Sequence, residues 1–347
     1  MSGDLEGARR ARAPVRIDLA GGWSDVPPFS AEAGGAVVNV TITRYSYATL
    51  IPNDTGEFVL ESADYDQYIQ ARTIRELEYN GSLDLLKAAV RRMDLQFGGH
   101  LITRCEAPPG SGTGSSASMG VALVGLLDAM LGGKMSRPEI SALANILETD
   151  ELGIDGGKQD QYAAAGGGLS FMTFEDPAVT VEQLRPSHDF LLELEKSLLL
   201  VYTGKSRLSG DIISRVMSAY LRHESTMTEP LMNLREAGLM MREAIIAEDL
   251  ARVGEVLSFN WENQKRLYED MTTPKIEALF SIAAPAGLLG GKACGAGGGG
   301  CIVLLCEPDR EHVVRRNVKD LGGHCIDFNF DHDGLQVWRP TMKGSSQ

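Results

Sequence analysis

The densest set of groups that could do chemistry lies in Pro108–Gly120, PPGSGTGSSASMG. Four glycines and four serines fall within it, and the apolar run Val121–Leu131 follows at once. Glycine takes a positive φ readily and lets the backbone approach a ligand with no Cβ in the way. Ser115 and Ser116 are good N-cap types for the segment that follows. A helix N-terminus with open N–H groups beneath a glycine turn is an anion site, and phosphate is the usual anion. The competing reading is a flexible Gly/Ser linker. Against it, strongly patterned segments flank the stretch with no shift in composition, and a linker would not open a helix so abruptly.

Three further stretches carry ionisable groups. Arg12–Asp25 (RAPVRIDLAGGWSD) places Arg16 and Asp18 on one face of a strand and Val15, Ile17 and Leu19 on the other, because side chains alternate. Gly156–Gly168 (GGKQDQYAAAGGG) contains Asp160, and Glu148 lies twelve residues earlier at the end of a helical pattern, with Glu151 close by. Lys292–Gly300 is a second glycine loop, and Gly295–Gly300 satisfies GxGxxG. A dinucleotide fingerprint needs a helix after that motif, and here the β-like run CIVLLC follows. A P-loop fails too: Ala293 stands where Ser or Thr is needed after Lys292, and Ala286 where the first glycine is needed.

The elements that must position these residues alternate without a regular βαβ beat, so the fold class is α+β. Strands are expected over Ala13–Leu19, Ala36–Ile51, Glu57–Ser62 (paired with the preceding strand across an Asn53–Gly56 turn), Gly99–Cys105, Gly166–Phe174, Ser197–Tyr202, Cys301–Cys306 and His324–Phe328. Helices are expected over Ser82–Met93 with Ser82 as cap, Ser115–Leu131, a capping-box helix from Ser136 to about Leu152, and then Gly210–His223, Pro230–Ala247, Asp249–Tyr268, Pro274–Ala283 and Asp309–Lys319. Asp64–Asn80 is ambiguous. Met232, Met240 and Met241 read as core fillers. The best boundary falls within Pro177–Leu191, dividing the chain into 1–185 and 186–347.

The chain has 347 residues, 43% of them hydrophobic and 23% charged, the balance of a globular protein of one or two domains. A net charge of −14 disfavours nucleic acid and anionic lipid as partners. The five scattered cysteines form no CxxC pair, which argues against a zinc knuckle or disulfide framework. No apolar leader or span-length apolar run is present, so a cytoplasmic location is expected. Nothing in the sequence chooses between a monomer and a homodimer.

PPGSGTGSSAS resembles the second motif of the GHMP kinases, the galactokinase, homoserine, mevalonate and phosphomevalonate kinase superfamily, with Thr113 in place of a usual Leu and Ser118 in place of a usual Ala. Arg12–Asp25 is similar to the first motif and the GAGGGG loop to the third. The resemblance implies an N-terminal half like the second domain of ribosomal protein S5, a ferredoxin-like C-terminal half, and an active site between them. It implies ATP held by Pro109, Gly110, Ser111, Gly112, Thr113, Gly114, Ser115 and Ser116, and Mg²⁺ held by Ser116 and Glu148. It further implies Asp160 with Arg16 at the attacking hydroxyl and Asp25 on the sugar, with Gly22 and Trp23 beside it. Arg16 as an ordinary strand-surface ion-pair member, Trp23 as a half-buried packing residue and Glu151 in place of Glu148 are the alternative readings.

Within the superfamily, RAPVRI, Lys158–Tyr162 (KQDQY) and Tyr202–Arg207 (YTGKSR) resemble the D-glycero-D-manno-heptose 7-phosphate kinases, which phosphorylate an anomeric hydroxyl. AGGWSDVPP is closer to the kinase half of the L-fucokinases, in which the aspartate follows Trp-Gln rather than the Lys158-Gln159 seen here. The expected activity is an ATP-dependent sugar-1-kinase acting on the heptose phosphate, with fucokinase as the alternative and a non-catalytic sugar- and ATP-binding regulator as the rival of another class. A substrate phosphate needs cations, and Lys158, Arg44, Lys205 and Arg207 are the candidates.

Overall fold

A computed structural model describes residues 7–204, 210–222 and 225–341. The first half of the chain runs β1 (Arg9–Ala20), α1 (Phe29–Ala33), β2 (Gly35–Asn53), β3 (Phe58–Ser62), β4 (Gln67–Ala71), α2 (Asp84–Arg92), β5 (Gly98–Cys105), α3 (Ser115–Met130), α4 (Arg137–Ile146), α5 (Gln159–Gly166), β6 (Leu169–Glu175) and β7 (Ala178–Gln183). The second half runs α6 (His188–Ser197), β8 (Leu198–Tyr202), α7 (Gly210–Leu221), α8 (Ser225–Ile246), α9 (Leu250–Lys265), α10 (Pro274–Ala283), β9 (Leu288–Ala293), β10 (Cys301–Cys306), α11 (Glu311–Asp320), β11 (His324–Ile326) and β12 (Gln336–Trp338).

Two sheets organise these elements. The eight-stranded sheet has the order β12-β1-β2-β5-β3-β4, with β6 and then β7 attached along the start of β2. The four-stranded sheet, β11-β8-β10-β9, is antiparallel throughout. The short β12 returns to the first sheet, pairing with β1 at Arg10–Arg12. One face of β1 (Val15, Ile17, Leu19) packs with residues of α8, α9, β8 and β10 in a shared core. On the opposite side lies α3, whose burial runs almost all the way round because α2, α4 and α5 surround it. Among the described residues no helix is long and apolar enough to cross a membrane.

The β2–β3 hairpin expected from the Asn53–Gly56 turn does not form. β5 inserts between the two strands, antiparallel to β2 and parallel to β3. The Asn53 side chain still shapes the turn, accepting from Thr55 and Gly56 N–H groups at 3.1 Å each. Insertion requires glycine at the start of β5: a Cβ on Gly98 would lie 2.4 Å from the Glu57 carbonyl oxygen. Ser82 is not the cap of α2; Asp84 instead accepts from the N–H groups of Gly81 and Asn80, and Ser82 bonds Gln67. The capping box at Ser136 and Glu139 is present. The helix it opens widens into a π turn over Leu147–Glu151 rather than continuing as α-helix to Leu152. Of the three methionines, Met241 is fully buried, but Met232 faces solvent.

Candidate active site

The loop between β5 and α3 is bent by glycines: Gly110, Gly112 and Gly114 have φ of 64°, 75° and 74°. The N-cap position of α3 is Gly114, and Ser115 and Ser116 are the first helical residues, so the expected serine cap is absent. Close packing explains it: a Cβ at residue 114 would sit 2.9 Å from Asp160 Oδ2. No side chain therefore caps the first-turn N–H groups, and the positive end of the α3 dipole is open to an anion. Pro109, Gly110, Gly112, Gly114, Ser115 and Ser116 line a cleft of about 860 Å³ at this point. Ser111 and Thr113 are buried beneath the loop, their hydroxyls 2.7 Å apart, and brace it rather than face the cleft.

The second glycine loop supports the first. Ser111 O accepts from Cys301 N at 2.7 Å, and a Cβ on Gly112 would lie 2.5 Å from the Cys294 carbonyl oxygen. Arg16, projecting from β1, ties the loop from the other side. Its backbone N–H donates to Thr113 O at 3.0 Å and its Nη1 to Gly112 O at 2.6 Å. The same guanidinium gives Nε to Asp160 Oδ1 at 2.8 Å, with Nη2 2.6 Å from that oxygen. Burial works against the charge on Arg16, but the carboxylates of Asp160 and Asp18 more than offset it and hold the guanidinium above its usual range. Asp160, at the start of α5, keeps about a quarter of its side chain exposed to the cleft.

Glu148 stands on the π turn, half-buried. It accepts from Ser116 Oγ at 2.5 Å and from Gln161 Nε2 at 2.6 Å. Burial pushes its carboxyl above the usual range, against the two hydrogen bonds that favour its charge. Glu151 turns away and bonds Tyr79 and Arg92. Ser116 and Glu148 thus present a hydroxyl and a carboxylate side by side, hard oxygen donors of the kind Mg²⁺ takes together with phosphate oxygens.

Asp25 is buried and held by Gln159, whose backbone N–H donates to Oδ2 at 3.1 Å and whose Nε2 lies 3.4 Å from Oδ1. Burial, with the nearby charge of Asp160, pushes its carboxyl up to about 6. Gly22 and Trp23 line the same part of the cleft. Trp23 has φ 80°, in the left-handed region, and packs into a cluster with Ile212, Val216 and Leu231 of α7 and α8, so it is both packed and cleft-lining. Lys158 and Arg44 are not brought to the cleft: Lys158 pairs with Asp176 at 2.6 Å, and Arg44 donates to the Asp327 carbonyl. Lys205 and Arg207 lie outside the described residues. Among the described residues Arg16 is the one basic side chain that lines the cleft. Sequence reasoning missed the supporting roles of Gln159 and Gln161, whose signal was their place on either side of Asp160.

Residues 83–168 match the model of the GHMP kinases N terminal domain, and residues 241–324 that of the GHMP kinases C terminal. The chain is 30% identical over 338 residues to D-glycero-alpha-D-manno-heptose 7-phosphate kinase of Campylobacter jejuni, covering 95% of this chain and 98% of that protein. It is also 30% identical over 330 residues to the bifunctional fucokinase/GDP-fucose pyrophosphorylase of Arabidopsis thaliana, of which it covers 31%. The crystal structure of a D-glycero-D-manno-heptose 1-phosphate kinase from Bacteroides thetaiotaomicron superposes with a TM-score of 0.81 at 30% identity, over 96% of this chain and all of that one. The glycine loop on α3, the Arg16–Asp160 pair and the bracing second loop therefore sit in a recognised fold, and the chain belongs to the GHMP kinase family.

Proposed function

We propose that the chain is a cytoplasmic ATP-dependent kinase that transfers the γ-phosphoryl group to the C1 hydroxyl of D-glycero-D-manno-heptose 7-phosphate. The observation that carries the reading is the Arg16–Asp160 ion pair, which opens onto the cleft beside the uncapped N-terminus of α3. Phosphoryl transfer needs positioning, charge neutralisation and a proton acceptor more than covalent chemistry. The α3 N-terminus and the loop 109–116 bind the triphosphate. Asp160 orients the acceptor hydroxyl and takes its proton, while Arg16 fixes the carboxylate and adds positive charge near the transferring group. Asp25 accepts hydrogen bonds from the sugar. Ser116 and Glu148 would hold Mg²⁺, which supplies charge neutralisation at the phosphate oxygens when bound. The division into residues 1–185 and 186–347 places the phosphate loop in the first domain and the bracing glycine loop in the second.

The heptose phosphate is favoured by the similarity to the Campylobacter enzyme along nearly the whole of both chains. L-fucose is the second reading, favoured by Trp23 in the cleft and by Arg16 being the one basic side chain among the described residues there. ADP release with the heptose 7-phosphate, mannose, L-fucose and galactose side by side decides between them. Asp160→Asn should lower kcat about 10³-fold with the preferred sugar; near-wild-type turnover would remove Asp160 from the mechanism. Turnover of none of the four sugars would leave the regulator reading standing.

A further inference from the structure

One buried ion pair at the edge of the cleft has no part in the reading above. Lys292, on β9, is fully buried. Its ammonium bonds Asp18 Oδ2 and lies 3.2 Å from the Asp18 backbone carbonyl. Asp18 is buried as well, lines the cleft, and has an Oδ1 with no hydrogen-bond partner. It stands two residues from Arg16 on β1, so both side chains leave the same face of the strand. The Asp18 charge is felt at the Arg16 guanidinium, which is committed by Nε and Nη2 to Asp160 and by Nη1 to Gly112. Two carboxylates, the partly exposed Asp160 and the buried Asp18, thus act on one guanidinium, and a second cation, delivered from the other sheet, takes up Asp18.

We infer that Lys292 is a positioning residue for phosphoryl transfer: by neutralising Asp18 it leaves Arg16 committed to Asp160. The inference rests on the kinase reading for its rate consequences, though not for its geometry. A buried carboxylate deprived of Lys292 has Arg16 as its neighbouring cation, and either draws the guanidinium across or takes up a proton. The first outcome frees Asp160 from the partner that orients it. Asn260 on α9 makes a second tie to the same segment, accepting from Gly21 N at 2.9 Å, so the backbone of β1 stays anchored when the ion pair is removed. A plain structural clamp between the sheets is the rival reading. It predicts that removing both charges is no better than removing one.

The test uses the full chain as wild type, Lys292→Met, Lys292→Arg and the double variant Asp18→Asn with Lys292→Met. The rate readout is kcat and KM for the sugar and for ATP. The second readout needs no substrate: the Arg16 Nε–H NMR resonance, assigned by its loss in Arg16→Lys. Lys292→Met should lower kcat about 100-fold with KM for ATP little changed, because a misplacement of about 1 Å has that effect, and should move the Arg16 resonance. The double variant should recover to within roughly tenfold of wild type and return the resonance, since Asn at 18 no longer competes for Arg16. Lys292→Arg should keep most of the rate. The inference is overturned if Lys292→Met keeps the wild-type kcat and resonance, or if the double variant is as impaired as the single one. Should Lys292→Met fail to fold, the double variant decides against wild type: kcat within roughly tenfold and an unmoved Arg16 resonance support the inference, and a kcat about 100-fold or more below wild type overturns it. If the wild type phosphorylates no sugar, the kinase reading fails, and the resonance still decides the role of Lys292.

Discussion

Asp25 shows how burial sets what a single residue does. It lies in the cleft with Gln159 as hydrogen-bond donor, and burial with the neighbouring Asp160 charge raises its carboxyl from the ordinary 3.8 to about 6. Accepting hydrogen bonds from sugar hydroxyls favours the ionised form. KM for the sugar should therefore fall as pH rises through about 6, and Asp25→Asn should remove that inflection while raising KM. The stability effect has the opposite sign. The folded chain holds this proton between about 4 and 6 and the unfolded chain does not, so the contribution is full below the ordinary carboxylate range and is lost as pH rises through about 6. It amounts to about 3 kcal/mol, which urea melts of wild type and Asp25→Asn across pH 4 to 8 would read. Gly157 matters for the same carboxylate. An added Cβ would fall 1.8 Å from Asp25 Oδ2, so Gly157→Ala should raise the sugar KM about tenfold or more and leave KM for ATP close to wild type.

At the scale of elements, two loops and one strand set the site. The first and second glycine loops approach closely enough that Gly112 and Gly295 touch backbone to backbone. Gly112→Ala puts a Cβ at a φ of 75°, 2.5 Å from the Cys294 carbonyl oxygen. It should shift the loop and raise KM for ATP about tenfold or more, read by initial rates at saturating sugar. β5 carries the first glycine loop, and its own placement depends on Gly98. Gly98→Val should therefore destabilise the chain by about 1–3 kcal/mol in urea melts, through overpacking between β3 and β5. The π turn at Leu147–Glu151 belongs at this scale too. It ends with Glu148 turned to Ser116 and Glu151 turned to Tyr79 and Arg92.

In the whole molecule the two sheets meet through the apolar face of β1, and the cleft takes residues from both halves: Arg16, Asp25, Ser116 and Asp160 from one, Ile213, Cys294 and Gly295 from the other. Ligands that bridge such a cleft stabilise the entire fold by mass action. ATP with Mg²⁺ at about a hundred times its dissociation constant should add about 2.7 kcal/mol to the unfolding free energy, seen as a rise in Tm. The same nucleotide without the metal should raise Tm less, and Glu148→Gln should shrink the difference between the two. The acidity of the chain makes the local cation at Arg16 and the α3 dipole important, since the net charge of −14 opposes the approach of an anion.

The sequence by itself determined the fold class, the glycine loop ahead of α3 and the shared face of Arg16 and Asp18, because those depend on local backbone freedom and strand alternation, whereas Asp160 was reached as the partner of Arg16 only through the family resemblance. Glycines at 110, 112 and 114 ahead of an apolar run can be read without a partner, and so can Arg16 and Asp18 on one face of β1. Tertiary structure decided what is held by what. It placed β5 inside the expected hairpin, moved the α3 cap from serine to Gly114, sent Lys158 to Asp176 and Arg44 to Asp327, and joined Lys292 to Asp18 across 274 residues. For the charged side chains the physical reason is that a group buried or half-buried at a crowded site takes whichever partner the packed elements bring within about 3 Å; for β5 and the α3 cap it is the close backbone approach that only glycine permits; sequence separation carries no information about either.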